Sequence, residues 1–317
     1  MLERLYAPPR DRLHLSANDA RLLDLADRLW ERAEAPPGDA VRVSVRAFPG
    51  AEPEALAERR VAWRLGASVY EVAVEGLLAA RLDLSARTVD ARVSEALLAS
   101  DPGLAARLLL EAPAAVFLSR RAWCVLHAGA VFGTRGAVVL RGASGSGKST
   151  LVAAAMRAGL RVLADESLLV ARADTDELSA SVRDLTLLHD SVELLGILDS
   201  APAFSGGEEK RRVDLFRSSA PALRRARRAA TFLLGPRTPG PARLAALTPD
   251  EFLAEFRKGA IPQERIASDP DVVGLDWRCR NGFRLDGASD LAGAVELIQM
   301  HAGRTSDPTR PGGEARG

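Results

Sequence analysis

Residues Val138 to Ser149, VVLRGASGSGKS, constrain this chain more than any other stretch. They fit G-x-x-x-x-G-K-[ST] as Gly142, Ala143, Ser144, Gly145, Ser146, Gly147, Lys148 and Ser149. An apolar run, Ala137 to Leu140, comes before the pattern and a helical pattern, Leu151 to Ala158, comes after it, which is the strand, loop and helix setting the motif requires. Glycines let the loop turn its backbone N–H groups inward and approach phosphate oxygens closely, and the start of a helix points its partial positive end at the same anion. Lys148 is then placed to reach terminal phosphates, the Ser149 hydroxyl to join the octahedral shell of a Mg²⁺, and Thr150 to contact an inner phosphate. A phosphate-bearing ligand is the first expectation.

Composition excludes several partners. The chain has 317 residues, 47% of them apolar, enough for one large domain or two of ordinary size. Its 43 basic and 42 acidic residues nearly cancel, so no overall field marks a nucleic-acid or membrane-surface protein. The N-terminus, MLERLYAPPRDRLHL, has no apolar core of signal-peptide length, and no uninterrupted apolar stretch is read as spanning a bilayer. A cytoplasmic location is expected. Cys124 and Cys279 lie far apart, outside any C-x-x-C, and are expected to be small buried hydrophobes rather than zinc ligands.

Taken in order, residues Ala17 to Arg32 show helical spacing, with Ser16 or Asn18 as the expected cap, and Pro36-Pro37-Gly38-Asp39 ends that helix. Val41 to Arg46, Val61 to Leu65, Val69 to Val74 and Leu77 to Leu84 read as short strands. Val93 to Ala99 and Leu104 to Ala112 turn helical, with Leu108, Leu109 and Leu110 as core, Pro113 interrupting and Ala114 to Leu118 resuming. Val125 to Phe132 then reads as one strand, Gly133 to Gly136 as a hairpin turn and Ala137 to Leu140 as the return strand. After the helix, Arg161 to Glu166 reads as another strand, ending in two carboxylates, Asp165 and Glu166. Only about 17 residues separate Lys148 from Asp165, room for one crossover helix and a tight turn. At that position one carboxylate can hold Mg²⁺ and the other can accept a proton.

Leu126-His127-Ala128-Gly129-Ala130-Val131, then GASGSGKSTL, then Gly159 to Glu166 together resemble the catalytic domain of the HPr serine kinase/phosphorylase superfamily, above all its HPr-kinase-related members found in bacterial clusters for modified peptides. The likeness is close over residues 126 to 170 and looser at Thr231 to Leu234, Leu244 to Phe256, Phe283 to Leu285 and Leu291 to Ile298. It implies a P-loop kinase domain with a mixed sheet over 121–302; the whole is expected to be α/β, with a smaller α+β portion read from its strand and helix patterns over 1–120 and a tail, 303–317, expected to be disordered from its glycine, proline and charge. It also implies that His127 lies near the terminal phosphate and near Asp165, and that the acidic pair divides base and metal duties. Where HPr kinases carry Asp-Asp, this chain has Asp165-Glu166, and the long family signature is only echoed at Glu193 to Ile197.

The expected catalytic residues are thus Asp165, His127 and Lys148, with Ser149, Asp165 and Glu166 as metal ligands. The expected activity is ATP- and Mg²⁺-dependent phosphorylation of a serine or other hydroxyl on a small protein or peptide, by a chain able to form a homo-oligomer. An NTP hydrolase using Glu166 to polarise water and a nucleotide-binding scaffold are the alternatives. Phe204 to Arg211 imitates the signature loop of ABC-transporter ATPases, but Thr231 to Leu234 is followed by Gly235-Pro236 rather than a carboxylate. Residues 201 to 212 are read instead as a mobile loop carrying Lys210, Arg211 and Arg212. Arg224, Arg225, Arg227 and Arg228 are read as a solvated helix face, with peptide docking as the sharper reading; no aromatic residues interleave there to stack bases.

Overall fold

In the computed structural model, which describes residues 1–7, 12–30, 32–34, 40–50, 61–181, 184–197, 201–203, 210–214, 223–236, 238–261, 264, 269–278 and 280–303, the chain is α/β with mixed sheets. The first sheet contains β1 (Leu2–Tyr6), β2 (Leu13–Ala17), β3 (Val41–Phe48), β4 (Val61–Leu65), β5 (Val69–Val74), β6 (Leu78–Asp83) and β7 (Thr88–Ser94), in the order β1-β2-β3-β7-β6-β5-β4. β2, β3 and β7 run parallel and the remaining neighbours antiparallel. Alternation in Val41-Arg42-Val43-Ser44-Val45 buries the three valines and leaves Arg42 exposed, as a sheet covered on one face requires.

Helices cover that apolar face. α1 (Ala20–Leu29) buries Leu22, Leu23, Leu25, Ala26 and Leu29. Its cap is Asp19, whose carboxylate accepts the Arg21 N–H, and not Ser16 or Asn18. Ser16 belongs to β2, and Asn18 is used up on the backbone N–H and carbonyl of Ala47. α2 (Glu95–Ser100) and α3 (Pro102–Ala106) lead through a π turn, Arg107–Glu111, into α4 (Ala112–Ser119). Pro113 therefore does not break the helix. The widened turn ahead of it accommodates the missing N–H and the ring. Leu108, Leu109 and Leu110 are core, as their spacing implied. The run Pro102–Ser119 is long and apolar enough to cross a bilayer by length and composition, though Arg107 and Glu111 interrupt it, and most of it is buried here.

Two more departures belong to this half. β1 and β2 lie in a stretch read as an irregular start, and β7 in one read partly as helix. β1 and β2 flank Pro8 and Pro9, which interrupt the pattern, and β7 runs straight into Ser94, the N-cap of α2. The core under the sheet also takes in Trp123, Val125, Leu169 and Ala171 from the second half.

The second half holds β8 (Trp123–His127), β9 (Gly129–Gly133), β10 (Gly136–Arg141), β11 (Arg161–Ala164), β12 (Ser167–Ala171) and β13 (Glu177–Ser181). A small separate sheet follows, made of β14 (Asp184–Leu188), β15 (Ala201–Ala203) and β16 (Lys210–Asp214). Residues 201–203 and 210–212 are thus paired strands rather than a mobile loop, while residues 204–209 lie outside the described residues. β17 (Leu223–Leu234), β18 (Arg243–Ala246) and β19 (Gly282–Asp286) complete the main sheet. β18 replaces a segment read as loop. Cys124 is free and buried, and burial pushes its thiol up; Cys279 and residues 304–317 lie outside the described residues.

One face of this sheet packs Val138 and Leu140 against α5 (Lys148–Arg157) and the last helix, residues 291–302, through Leu151, Ala155, Val295 and Ile298. α6 (His189–Leu194) lies beside β14. The other face packs Ala137 and Val139 against α7 (Pro249–Lys258) and α8 (Pro270–Trp277) through Phe252, Phe256, Val273 and Trp277. The last helix, α9 (Leu291–Ala302), starts at Asp290, whose carboxylate accepts the Gly293 N–H.

β17 corrects the reading of the arginine run, which is strand and not helix. Its first half pairs with β13 antiparallel and its second half with β10 and β19 in parallel. Arg227 pairs with Asp174 at 2.8 Å and Arg228 with Asp176 at 2.9 Å, the latter guanidinium lying 4.8 Å from the centre of the Trp277 ring. Arg280 joins Asp176 and Asp276. Of these, Arg228 is buried and braces the fold from within, whereas the pairs of Arg227 and Arg280 lie at the surface.

Gly282 shows how tightly that region is packed. A Cβ there would lie 2.4 and 2.5 Å from two ring carbons of fully buried Phe252, which stacks on Phe256. Gly282→Ala is expected to cost about 1–3 kcal/mol, read as a lower urea midpoint; an unchanged midpoint would show that the ring has room to move.

Candidate functional site

The site forms where two strands break together. Residues 125–132, read as one strand, are split at Ala128 into β8 and β9. β8 pairs antiparallel with β12 and β9 with β11, so 123–133 and 161–171 lie side by side and lose their ladder at the same level. His127 is opposite Ser167 and Ala130 opposite Ala164; the shared register sets Asp165 opposite Gly129 and Glu166 opposite Ala128. Backbone released from a ladder can aim side chains away from the alternating pleat. Gly129 lets α5 come close: a Cβ there would lie 2.7 Å from Val152 Cγ2.

β10 ends at Arg141 and delivers the chain to the loop beside this break. Gly145 and Gly147 have φ of +76° and +98°, angles that glycine adopts without strain. Ala143, Ser144 and Gly145 are exposed on the rim, Gly142 is buried, and the buried Ser146 hydroxyl has no hydrogen-bond partner. α5 then starts at Lys148, so its unpaired N–H groups face the loop.

Lys148 is 6% exposed and folds back onto the loop, its Nζ donating to Gly142 O at 2.9 Å and Ala143 O at 3.0 Å. Burial, and then repulsion from Arg141, pull its proton affinity down, against the opposing charges of Asp165 and Glu166. Asp165 is 3% exposed. Its Oδ2 accepts the Thr186 N–H of β14 at 3.0 Å, while Oδ1 has no partner in normal hydrogen-bond geometry. Burial, and then the Glu166 charge, push this carboxyl up to about 7, although Thr186, the nearby Ser149 hydroxyl and Lys148 favour its charged form.

His127 is driven the other way. Burial, and then Lys148, push its imidazole down to about 4, against the charge of Glu166 and a hydrogen bond to the Glu166 backbone. It is a neutral ring at physiological pH. The Thr150 hydroxyl is 2.8 Å from that of Ser191 on α6 and so ties α5 to α6.

Lys148 and Glu166 thus act on both His127 and Asp165, and Ser149 acts on Asp165. Among the described residues, no group of three or more His, Cys, Asp and Glu side chains is placed to hold a metal. Ser149, Asp165 and Glu166 make a sparser set. That suits Mg²⁺, which keeps several waters and takes phosphate oxygens with one or two carboxylates; the unpartnered Asp165 Oδ1 beside Ser149 is the oxygen such an ion needs.

Three participants carried no signal in the sequence. Thr186 acts through its backbone N–H, which any residue but proline offers. Ser191 lies in a segment without a motif. Arg141 stands at the end of an apolar strand and is fully buried in an ion pair with Glu264. No protein-family model matches this chain, and no curated protein matches it.

Proposed function

We propose that the chain is an ATP-dependent kinase that phosphorylates a serine or other hydroxyl of a small protein or peptide, and that residues 121–302 are akin to the HPr kinase/phosphorylase superfamily. The observation that carries this reading is a single one: a buried carboxyl, Asp165, with one oxygen held by Thr186 and the other unpartnered beside Ser149, directly behind a loop with the phosphate-binding pattern. In this reading the acceptor oxygen attacks the γ-phosphorus, the bond from that phosphorus to the β,γ-bridging oxygen breaks, and ADP departs. The acceptor's proton passes to Asp165, whose affinity near neutrality is matched to that task. Lys148 leaves the Gly142 and Ala143 carbonyls for the phosphates. Neutral His127 contributes a donor without a competing charge. Mg²⁺, when bound at Ser149, Asp165 and Glu166, neutralises charge on the phosphate oxygens.

The test is transfer of labelled γ-phosphate from MgATP to peptides and small proteins encoded beside this gene. A labelled acceptor hydroxyl supports the kinase. Free phosphate released without acceptor and lost in Glu166→Gln would replace it with an NTP hydrolase. Tight nucleotide binding with neither signal would leave a scaffold.

A further inference from the structure

Arg141 and Glu264 form an ion pair sealed from solvent directly behind the loop: Nη2 and Oε1 are 2.9 Å apart, and the side chains are 0% and 1% exposed. Burying charges costs several kcal/mol per ion, and apolar residues of similar volume are often as stable. Stability alone is a weak reason for such a pair.

Its surroundings supply another. Arg141 is the last residue before Gly142. Its Nε donates to Phe256 O at 2.8 Å near the end of α7, and its guanidinium lies 4.1 Å from the centre of the Phe256 ring. Its Nη1 donates to His127 O at 3.3 Å. The Glu264 carboxylate faces the backbone N–H groups of His127 and Ile261, in looser geometry than a full hydrogen bond. The two side chains thus attend to the carbonyl and the N–H of the same residue. Among the described residues β8 is the terminal strand of its sheet, with β12 as its one strand neighbour, and alternate residues of an antiparallel strand turn both backbone groups away from their partner. At His127, the last residue before the break, the ion pair stands where a further strand would.

We propose that the buried Arg141–Glu264 pair is a positioning device for His127, fixing the end of β8 relative to the phosphate loop and to α7. Its consequence for rate rests on the phosphoryl-transfer reading; its consequence for the placement of His127 does not. Guanidinium suits the task because its planar fork serves Phe256 O, His127 O and Glu264 at once, which an ammonium cannot match in geometry.

The experiment uses the full chain with Arg141→Met and Glu264→Met combined, which removes both charges and leaves neither stranded. The four histidines, His14, His127, His189 and His301, are followed by imidazole NMR, with His127 assigned through His127→Gln. The His127 resonance is expected to shift or broaden while the other three stay in place and MgATP affinity changes little. Phosphate transfer is expected to fall about 100-fold, the scale of a misplacement of about 1 Å. An unmoved His127 resonance in a variant of altered stability overturns the proposal, because the pair would then be structural only. If the double variant does not fold, Glu264→Gln, which keeps size and an acceptor oxygen, takes its place, and an unmoved His127 there overturns the proposal equally. A His127 response in a chain whose wild type transfers no phosphate would sink the kinase reading and leave the positioning role standing.

Discussion

Lys148→Met is expected to weaken MgATP binding by at least about 100-fold while leaving a folded protein. The ammonium is buried and held by two loop carbonyls, Gly142 O and Ala143 O, and in the proposed reading it exchanges these neutral partners for phosphate oxygens when nucleotide binds. A hydrogen bond to a charged group contributes about 1.5–3 kcal/mol, and about 1.4 kcal/mol corresponds to tenfold in affinity. Losing charged contacts to two phosphates therefore reaches the hundredfold range. Methionine fills much of the same stem volume, and burial already disfavours the lysine charge, so the fold loses little. Titration calorimetry with MgATP reads the effect; unchanged affinity would show that the loop does not bind phosphate as proposed.

The parts of the site that were legible in the sequence are those whose chemistry sits in one short stretch. Gly142 to Ser149 is such a stretch, and so is the Asp165-Glu166 pair at a strand end. The remainder depends on contacts across the fold. The break between His127 and Gly129 has only one local mark, the glycine itself, in a run otherwise apolar but for His127, and one glycine is also compatible with a continuous strand. Asp165 gains its backbone hydrogen bond from Thr186, 21 positions on, and His127 gains its backbone partners from Arg141 and Glu264. The arginines of β17 misled for the same reason. Their charges imply solvent when read locally, yet the acids that neutralise Arg227 and Arg228 lie on the turn before β13, about 50 residues earlier. In the first half, Val41 to Val45 was readable because its alternation is carried by three valines, whereas β1 and β2, of similar length, flank Pro8 and Pro9, which interrupt the pattern.

Asp165→Asn is expected to act in opposite directions on activity and stability. Asparagine keeps the size of the side chain and an acceptor for the Thr186 N–H but cannot take a proton, so phosphate transfer should fall by about 10²–10⁴, the usual contribution of a general base, with nucleotide still bound. Stability should rise at alkaline pH. The folded-state affinity of Asp165, about 7, lies above its ordinary value of 3.8. Between those values the folded chain holds a proton that the unfolded chain has released, so wild-type stability falls as pH rises through this window and stays reduced above it. At about 1.4 kcal/mol for each pH unit, the penalty above pH 7 is on the order of 4 kcal/mol. Urea unfolding at pH 5 and pH 8, without nucleotide or metal, should show the variant gaining over wild type chiefly at pH 8. Equal stability at both pH values would mean that Asp165 ionises freely in the folded chain, and with its affinity no longer tuned to the acceptor's proton, its role as base would lose its physical ground. A variant that is more stable and inactive would place the cost of the buried carboxylate where the chemistry needs it, a group kept at the expense of the fold because only its ionised form can take the proton.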